Sequence, residues 1–386
     1  MNADIDKNTV KSLKPFLAME MKSQAEALEK SGYDVIHLEV GDPEFQTPHA
    51  IKAAAIQAIE SGQTHYTDPL GMADLRKSIS NYYRSYYRVN IDPDQVLITA
   101  GSTQALLYVL MTLLEIDDEV IISNPCYPAY RNMIIGAKGI PVSVITEPED
   151  GFKLTRERIE QAISSRTKAI IVNSPSNPSG TLLSMDDMHE IATINRAYII
   201  SDEIYHGLTY NELPHSILEF TRNAFVINGF SKTFAMTGWR IGYLIFPKEF
   251  IDRIRIIQSN FSISTNSFVQ IAARVAIDQC REEVNRMNFQ YALRRKYMLH
   301  RLRKMGFKIH KDPEGAFYIF ADARSIIRDS QKFAIELLRN ARVAITPGID
   351  FGTQGEGFLR FSYATSFHNI AEGLNRIEKY LNLIEY

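Results

Sequence analysis

The sequence predicts an α/β protein in which a mainly parallel sheet lies between helices, together with a smaller α+β domain. Two observations support this prediction. Between residues 95 and 247, short apolar runs rich in β-branched residues alternate with helical patterns, which is typical of strands that are covered on both faces and joined by helical crossovers. The C-terminal third instead combines a long helical stretch with few strands, which is typical of an α+β arrangement.

The length of the chain predicts two domains. It has 386 residues, more than the roughly 250 to 300 at which a single hydrophobic core stops growing. We expect a large domain at 46–280 and a small domain built from 1–45 and 281–386. The helical pattern at 16–32 is expected to pack with the small domain, and a cleft between the domains is the default place for a ligand.

Six apolar runs are the predicted strands of the large sheet. They lie at 96–99, 119–123, 168–174, 197–201, 224–229 and 241–246. The first is followed at 106–113 by leucines and a valine at helical spacing, as in a crossover helix. Farther along, one helical stretch is predicted from about 266 to 303. It leads to the strand candidates GFKIH, GAFYIF and GFLRFSY and to a final helix, HNIAEGLNRIEKYLNLIEY.

Composition gives no reason to expect a nucleic-acid or membrane partner. The chain has 43 Lys and Arg against 45 Asp and Glu, a formal net charge of -2, with both signs mixed along its length. No stretch approaches the ~18 consecutive apolar residues of a membrane span, and residues 1–16 are polar where a signal peptide has an apolar run. Cys126 and Cys280 lie far apart, so neither a disulfide framework nor a metal site is expected, which fits a reducing cytoplasm.

The segment FSKTFAMTGWR at 230–240 places Lys232 among apolar residues, including the only tryptophan of the chain, Trp239. A charged lysine is costly in such surroundings. One resolution is an amine that is held neutral, or that is used covalently as in Schiff-base enzymes. Lys232 is therefore the first candidate for a catalytic residue.

Polar residues follow five of the predicted strands, at the carboxyl ends where open α/β sheets bind their ligands. After the first strand, residues 101–103 open a helix whose backbone N–H groups could hold a phosphate. After the second, Tyr127 lies between prolines and is available to stack on a flat ring. The remaining strand ends supply Asn177, then Asp202 with Tyr205, then Ser231 and Lys232 with Arg240.

Each of these features has a simpler interpretation alone, as a helix cap, a packed loop aromatic or a turn. Together they supply a phosphate cradle, a ring stacker, an amide, an acid with a phenol, and a lysine with an arginine. That set suits a phosphorylated, planar aldehyde with a basic nitrogen, and pyridoxal 5′-phosphate is that molecule. A lysine can form its Schiff base, an acid can keep its ring nitrogen protonated, and an arginine can bind its phosphate.

Six motifs between residues 35 and 364 resemble those of the fold-type I pyridoxal-phosphate aminotransferases of class I and II, in the subgroup of aspartate and aromatic aminotransferases. The motifs are GDPEFQTP, HYTDPLGMADLR, NSPSNPSG, SDEIYHGL, NGFSKTFAMTGWRIGY and LRFSYA. The resemblance implies that the large domain binds pyridoxal 5′-phosphate. It also implies a ping-pong transfer of the amino group of an L-amino acid to a 2-oxo acid, in a homodimer with shared active sites.

The resemblance further implies a role for each matching residue. The three predicted catalytic residues are Lys232 as Schiff-base lysine and proton carrier, Asp202 on the pyridine nitrogen, and Tyr205 on the ring hydroxyl oxygen. The other cofactor contacts would come from Gly101, Ser102, Thr103, Tyr127, Asn177, Ser231 and Arg240, with Tyr66 from the neighbouring subunit. The substrate carboxylate would be bound by Arg360, helped by Gly41 and Asn177.

Two positions depart from the family pattern. Relatives of animal aspartate aminotransferase have a serine where this chain has Gly229, so the phosphate hydroxyl is assigned to Ser231. Aspartate-preferring relatives in the subgroup have a lysine where this chain has Thr103. Neutral, aromatic and sulfur-containing substrates therefore stay open beside aspartate and glutamate.

Other functions compete with this one. A pyridoxal-phosphate C–S β-lyase or an aminocyclopropane-carboxylate-synthase-like enzyme has the same lysine, aspartate and arginine, and formation of pyruvate and ammonia from a single amino acid would favour the lyase. A serine acyl-transfer enzyme is indicated only by SRTK at 165–168, without its companion motifs. The segment GTQGEG at 352–357 has neither the spacing nor the place of a nicotinamide-binding loop. A non-catalytic protein on the same fold would not need the complete set of residues.

Overall fold

The computed structural model describes residues 12–384. Most of the polar segment 1–16, on which the predicted lack of a signal peptide depends, lies outside this range. The helices are α1 (Leu17–Lys30), α2 (His49–Glu60), α3 (Ala73–Tyr86), α4 (Ser102–Leu113), α5 (Ala129–Gly136), α6 (Arg156–Ala162), α7 (Met185–Ala192), α8 (Ile251–Phe261), α9 (Ser267–Gln279), α10 (Arg281–Lys304), α11 (Ser330–Ala341) and α12 (Phe367–Ile384). The strands are β1 (Ile36–His37), β2 (Val96–Thr99), β3 (Glu119–Asn124), β4 (Ile140–Ile145), β5 (Thr167–Asn173), β6 (Tyr198–Asp202), β7 (Ala224–Gly229), β8 (Gly242–Ile245), β9 (Tyr318–Asp322), β10 (Val343–Ala344), β11 (Thr346–Pro347) and β12 (Phe358–Ser362).

A seven-stranded sheet with the order β2-β8-β7-β6-β5-β3-β4 forms the larger layer. Its strands run in parallel except β8, which is antiparallel to both β2 and β7. Successive residues of one strand enter opposite cores: Ile170 and Val172 of β5 pack into one cluster, and Ala169 and Ile171 into the other. Burial on both faces explains the continuous apolar runs. The predicted mainly parallel sheet between helices is confirmed.

A second, smaller arrangement holds the C-terminal strands. The sheet β11-β12-β9 is antiparallel, and β1 pairs in parallel with β10. One cluster joins these strands to helices α10, α11 and α12, and Met21 and Ala25 of α1 belong to it. The predicted packing of the N-terminal helix with this α+β part is therefore confirmed. The domain boundaries at 46 and 281 stay a prediction.

Three elements differ from the sequence-based expectation. The single helix predicted over 266–303 is two helices, α9 and α10, which meet at Cys280. The break is needed because α9 and Cys280 pack into a core of the large sheet, whereas Val284 of α10 packs into the core of the smaller α+β part. The segment GFKIH makes only an isolated bridge, from Lys308 to Asp322. Strand β4 was missed because it is an edge strand with Pro141 and no fully buried residue.

Within residues 12–384, no helix is both long and apolar enough to span a membrane. Cys126 and Cys280 are both free and buried.

Candidate active site

A cavity of about 280 Å³ lies at the carboxyl ends of the strands of the large sheet. It is lined by every predicted site residue except Gly101 and Tyr66. The residues that follow strands of the large sheet meet there because the parallel strands end at the same edge. Arg360 reaches the same cavity from β12 of the smaller sheet.

The segment after β7 is a series of turns that carries Lys232. Phe230 and Met236 are fully buried and fix its two sides, and the Met236 N–H donates to the Ser231 carbonyl at 3.1 Å. Ala235 and Arg240 adopt left-handed backbone conformations, with φ of 51° and 52°, which non-glycine residues adopt at a cost. The apolar neighbours of Lys232 are therefore anchors of a tightly folded loop.

The Lys232 side chain points into the cavity. Its Nζ donates a hydrogen bond to the Gly41 carbonyl at 2.8 Å. Burial, together with the charges of Arg360 and Arg240, lowers the pKa of Lys232 to about 8, while Asp42 opposes the change. An amine with this pKa is partly neutral near neutral pH, as a general base must be.

Asp202 ends β6 and is 8% exposed. Its Oδ2 accepts a hydrogen bond from the Tyr130 hydroxyl at 2.6 Å, and its Oδ1 accepts one from the Ile204 N–H at 3.2 Å. Burial raises the pKa of Asp202 to about 6, although both hydrogen bonds lower it. Asn173 donates to the Asp202 backbone carbonyl at 2.9 Å and holds the strand end in place. A partner cation would keep this acid ionised.

Arg360 lies on β12 and is 3% exposed. Its Nη1 donates to Asn177 Oδ1 at 2.9 Å, and its Nη2 donates to Thr346 Oγ1 at 3.1 Å. The guanidinium carbon lies 4.2 Å from the ring centroid of Tyr318 and 4.9 Å from that of Phe351. Within the described part of the chain, its buried Nε has no hydrogen-bond partner. The arginine is thus held rigidly with a free donor, which suits a carboxylate ligand.

Tyr205 lines the cavity beside Arg360. Its hydroxyl is 3.0 Å from the hydroxyl of Tyr318. Burial raises the pKa of Tyr205 well above its usual value, so the side chain is a neutral phenol. Tyr205 can therefore donate one hydrogen bond to a ligand oxygen while it accepts another from Tyr318.

The helix α4 begins at the edge of the cavity, directly after Gly101. Gly101 has a φ of 88°, and a Cβ built on it would lie 2.7 Å from Nη2 of Arg240. Another residue here would be strained by the positive φ, and its side chain would crowd the guanidinium at the helix start. The first N–H groups of a helix lack partners within it, so Ser102, Thr103 and Arg240 together offer a site for a dianion.

Gly229, the departure from the serine pattern, is explained by packing. It ends β7, and a Cβ there would lie 3.1 Å from the Gly242 Cα on the adjacent strand β8. A side chain at this position would be crowded by the backbone of β8. Ser231, 7% exposed, lines the cavity instead.

Tyr127 and Tyr66 lie in very different surroundings. Tyr127 is partly buried, and its ring meets those of Tyr130 and Phe16 edge-on, with centroids 5.4 Å and 5.9 Å away. Tyr66 is 79% exposed and does not line the cavity of its own chain.

Residues 33–377 match the family model for aminotransferase class I and II. The chain belongs to this family.

Named relatives cover nearly the whole of this aminotransferase. A (5-formylfuran-3-yl)methyl phosphate transaminase from Methanocaldococcus jannaschii is 43% identical over 95% of the chain and 97% of its own length. The structure of the aspartate aminotransferase of Thermotoga maritima matches with a TM-score of 0.92 and 36% identity, over 97% of this chain and 100% of that one. An aromatic aminotransferase from Pyrococcus horikoshii matches with a TM-score of 0.88 and 36% identity, over 94% and 99%.

These similarities identify the chain as a pyridoxal-phosphate-dependent aminotransferase that acts on amino acids and 2-oxo acids. The predictions of family, fold, activity and cofactor are thereby confirmed. The site also fits the cofactor on its own geometry: Gly101 leaves room for Arg240 at the helix start, the Lys232 amine faces the cavity, and Asp202 ends β6 at the same edge.

Several residues of the cavity were not found from the sequence. Tyr130, Asn173 and Tyr318 contact predicted site residues directly. Tyr130 lies one helical turn after Tyr127, and Asn173 is the last residue of β5, so helical spacing and strand-end position were the available signals. Apolar lining from Phe16, Ala18, Met19, Val40, Leu106 and Met133 was also missed.

Proposed function

We propose that this aminotransferase moves the substrate proton with Lys232 and binds the substrate α-carboxylate with Arg360. The observation that supports the proposal most strongly is the meeting of the Lys232 amine, Asp202, Arg240 and Arg360 around a single cavity. Each of these groups matches one part of a bound cofactor and amino acid.

The cofactor contacts are proposed from this arrangement. Bound pyridoxal 5′-phosphate supplies an electron sink that makes the Cα–H bond of the amino acid acidic. Asp202 would bind the protonated ring nitrogen, because its carboxylate is buried at the edge of the cavity. Tyr205 and Asn177 would bind the ring hydroxyl oxygen, and Tyr127 would stack on the ring. The phosphate would be bound by Gly101, Ser102, Thr103, Ser231 and Arg240.

Lys232 is proposed to carry the proton between the substrate Cα and the cofactor. With a pKa near 8, the neutral amine can accept a proton near neutral pH and then give it back. The hydrogen bond to the Gly41 carbonyl holds Nζ at one side of the cavity. The fixed turns around Lys232 keep the amine in position while the proton moves.

Arg360 is proposed to fix the orientation of the amino acid. Its guanidinium is packed between the Tyr318 and Phe351 rings and is hydrogen-bonded to Asn177, so the orientation of the guanidinium is fixed. A carboxylate bound there directs the substrate Cα toward Lys232. The aromatic walls also exclude water, which strengthens the ion pair.

We further propose a homodimer in which Tyr66 of each chain contributes to the site of the other. Tyr66 is 79% exposed, and the apolar side chains of Ile56, Ile59 and Phe261 are exposed as well, as is common for residues that are covered in an assembly. Sedimentation should give a dimer, and a Tyr66→Ala chain mixed with a Lys232→Ala chain should regain about a quarter of the wild-type activity, because one of the two sites in each mixed dimer lacks both changes. A monomer that is fully active would contradict this.

We also propose that the large domain spans residues 46–280 and that the protein is located in the cytoplasm. The change of core at Cys280 supports a boundary between 280 and 281, and limited proteolysis can test it. The two free cysteines support a reducing cytoplasm.

Replacement of Lys232 by Ala tests the proposed function. Turnover with a panel of amino acids and 2-oxo acids should fall by at least about 100-fold, while the exposed control Lys248→Ala should keep wild-type activity. A Lys232→Ala protein that turns over normally would remove the lysine from the mechanism. Pyruvate and ammonia formed by the wild-type protein without an acceptor would show β-elimination instead.

A further inference from the structure

We infer that the substrate of this aminotransferase has an apolar side chain, and that Asp350 is a positioning residue that holds the start of α1 in place as its binding surface. This inference rests on the proposed function, because it assumes an amino acid held between Lys232 and Arg360.

The start of α1 is capped by a residue that is distant in sequence. Phe16, at the N-cap position, makes no side-chain capping hydrogen bond. Instead, the Leu17 N–H donates to Asp350 Oδ1 at 2.9 Å and the Ala18 N–H donates to Asp350 Oδ2 at 3.1 Å. Both carboxylate oxygens are thus used on the first helical N–H groups, which otherwise lack partners. The position of the helix start therefore depends on Asp350.

Asp350 lies next to the part of the site that binds the carboxylate. The following residue, Phe351, is 2% exposed, and its ring centroid is 4.9 Å from the Arg360 guanidinium carbon. Burial raises the pKa of Asp350, while the N–H groups of α1 and the charge of Arg360 oppose the rise. The same short segment thus supports Arg360 on one side and α1 on the other.

The surface that α1 brings to the cavity is apolar. Phe16 and Met19 line it together with Leu106 of α4 and Met133 of α5. The Phe16 ring lies edge-on to Tyr127, 5.9 Å between centroids. Since the bound cofactor would take the amino group of the amino acid and Arg360 its carboxylate, while Lys232 moves the Cα proton, this lining is left for the side chain.

Among the described residues of one chain, this lining offers a second carboxylate no cation beyond those that already have a proposed ligand. Among the described residues around the cavity, the basic side chains are Lys232, Arg240 and Arg360, and each already has a proposed ligand. An unpaired charge is costly to bury, whereas an apolar side chain gains from burial. Leucine, methionine or phenylalanine should therefore bind better than aspartate or glutamate.

The first experiment uses the wild-type holoenzyme and single amino acids without an acceptor. The rate at which the cofactor absorption band bleaches, divided by the half-saturating concentration, should be at least tenfold higher for phenylalanine or leucine than for aspartate or glutamate. Faster reaction with aspartate or glutamate would overturn the inference and leave the proposed function intact. Failure of every amino acid would refute the proposed function itself.

Asp350 is tested by the variants Asp350→Asn and Asp350→Ala. The ratio of phenylalanine to alanine efficiency should fall at least tenfold in Asp350→Ala and less in Asp350→Asn, which keeps one acceptor oxygen. The affinity for pyridoxal 5′-phosphate should not change, because no cofactor contact is removed. An unchanged ratio in both variants would remove Asp350 from substrate selection.

A charge added to α1 provides a test that can be carried out even if the Asp350 variants do not fold. Met19 is 46% exposed and should accept lysine. Met19→Lys should lower the preference for phenylalanine over glutamate at least tenfold, and the control Ser23→Lys, one turn farther along α1 and exposed, should not. Equal effects of the two lysines would show that α1 does not contact the substrate.

Ligand binding without reaction gives an independent measurement. Calorimetry with 4-phenylbutyrate and glutarate should show tighter binding of the aromatic acid to the wild-type holoenzyme. Met19→Lys should narrow or reverse that difference. Tighter binding of glutarate to the wild-type protein would contradict an apolar subsite.

Discussion

Replacement of Tyr130 by phenylalanine tests how Asp202 is kept ionised. The Tyr130 hydroxyl donates to Asp202 Oδ2 at 2.6 Å, and both side chains are buried. A buried hydrogen bond to a charged acceptor contributes about 1.5 to 3 kcal/mol, and about 1.4 kcal/mol corresponds to one pH unit of pKa. The pKa of Asp202, about 6 with the bond present, should therefore rise by roughly one to two pH units in Tyr130→Phe.

The assay is the pH dependence of the affinity of the cofactor-free protein for pyridoxal 5′-phosphate. Asp202 must be ionised to hold the protonated ring nitrogen, so affinity should be lost as the pH falls through its pKa. In Tyr130→Phe this acidic limb should move toward higher pH, and pyridoxal 5′-phosphate should bind more weakly at neutral pH. Both effects should disappear in alkaline buffer, where Asp202 is ionised in either protein.

The control is Tyr198→Phe, which removes a hydroxyl at the start of the same strand, β6. Its acidic limb should coincide with that of the wild-type protein. An acidic limb that does not move in Tyr130→Phe would refute the reasoning, because the hydrogen bond would then make no difference to the ionisation of Asp202.

Three further predictions follow from distances in the structure. Arg360→Leu should raise the KM for the amino acid about 30-fold or more while cofactor affinity stays the same, and steady-state kinetics with an unchanged KM would contradict this. Gly101→Ala, whose Cβ would lie 2.7 Å from Arg240 Nη2, should raise the Kd for pyridoxal 5′-phosphate about tenfold or more, measured by fluorescence titration; an unchanged Kd would place the phosphate elsewhere. Burial raises the pKa of Asp322, but hydrogen bonds from Arg324 and His310 outweigh the effect of burial, and the pKa is lowered to about 2. Asp322→Asn should therefore cost about 1 kcal/mol of unfolding free energy above about pH 4 and progressively less as the pH falls toward 2, in denaturant titrations; a pH-independent cost would refute the ion pair.

The sequence was sufficient to predict the part of the site that is proposed to bind the cofactor. Lys232, Asp202 and Arg240 all lie directly beside strands of the large sheet, and strands buried on both faces are visible as apolar runs. Their positions relative to one another then follow from the parallel arrangement, which brings strand ends to a common edge.

The part of the site that is proposed to bind the substrate was harder to predict from the sequence. Asp350 acts on α1 through hydrogen bonds that span more than 300 residues of sequence, and no local pattern marks such a contact. Tyr318 lies on a strand of the other sheet, where its aromatic ring looks like ordinary core. The break at Cys280 was missed because it contains neither glycine nor proline, and only the change from one core to another requires it.

The two ends of the cavity are completed at different times during synthesis. The proposed cofactor contacts within one chain lie between residues 101 and 240, whereas the carboxylate end requires Thr346, Asp350 and Arg360. Domains generally fold as units while the chain emerges from the ribosome. A nascent chain could therefore form the cradle for the cofactor long before it can select an amino acid, so substrate recognition depends on a segment that is made after that cradle.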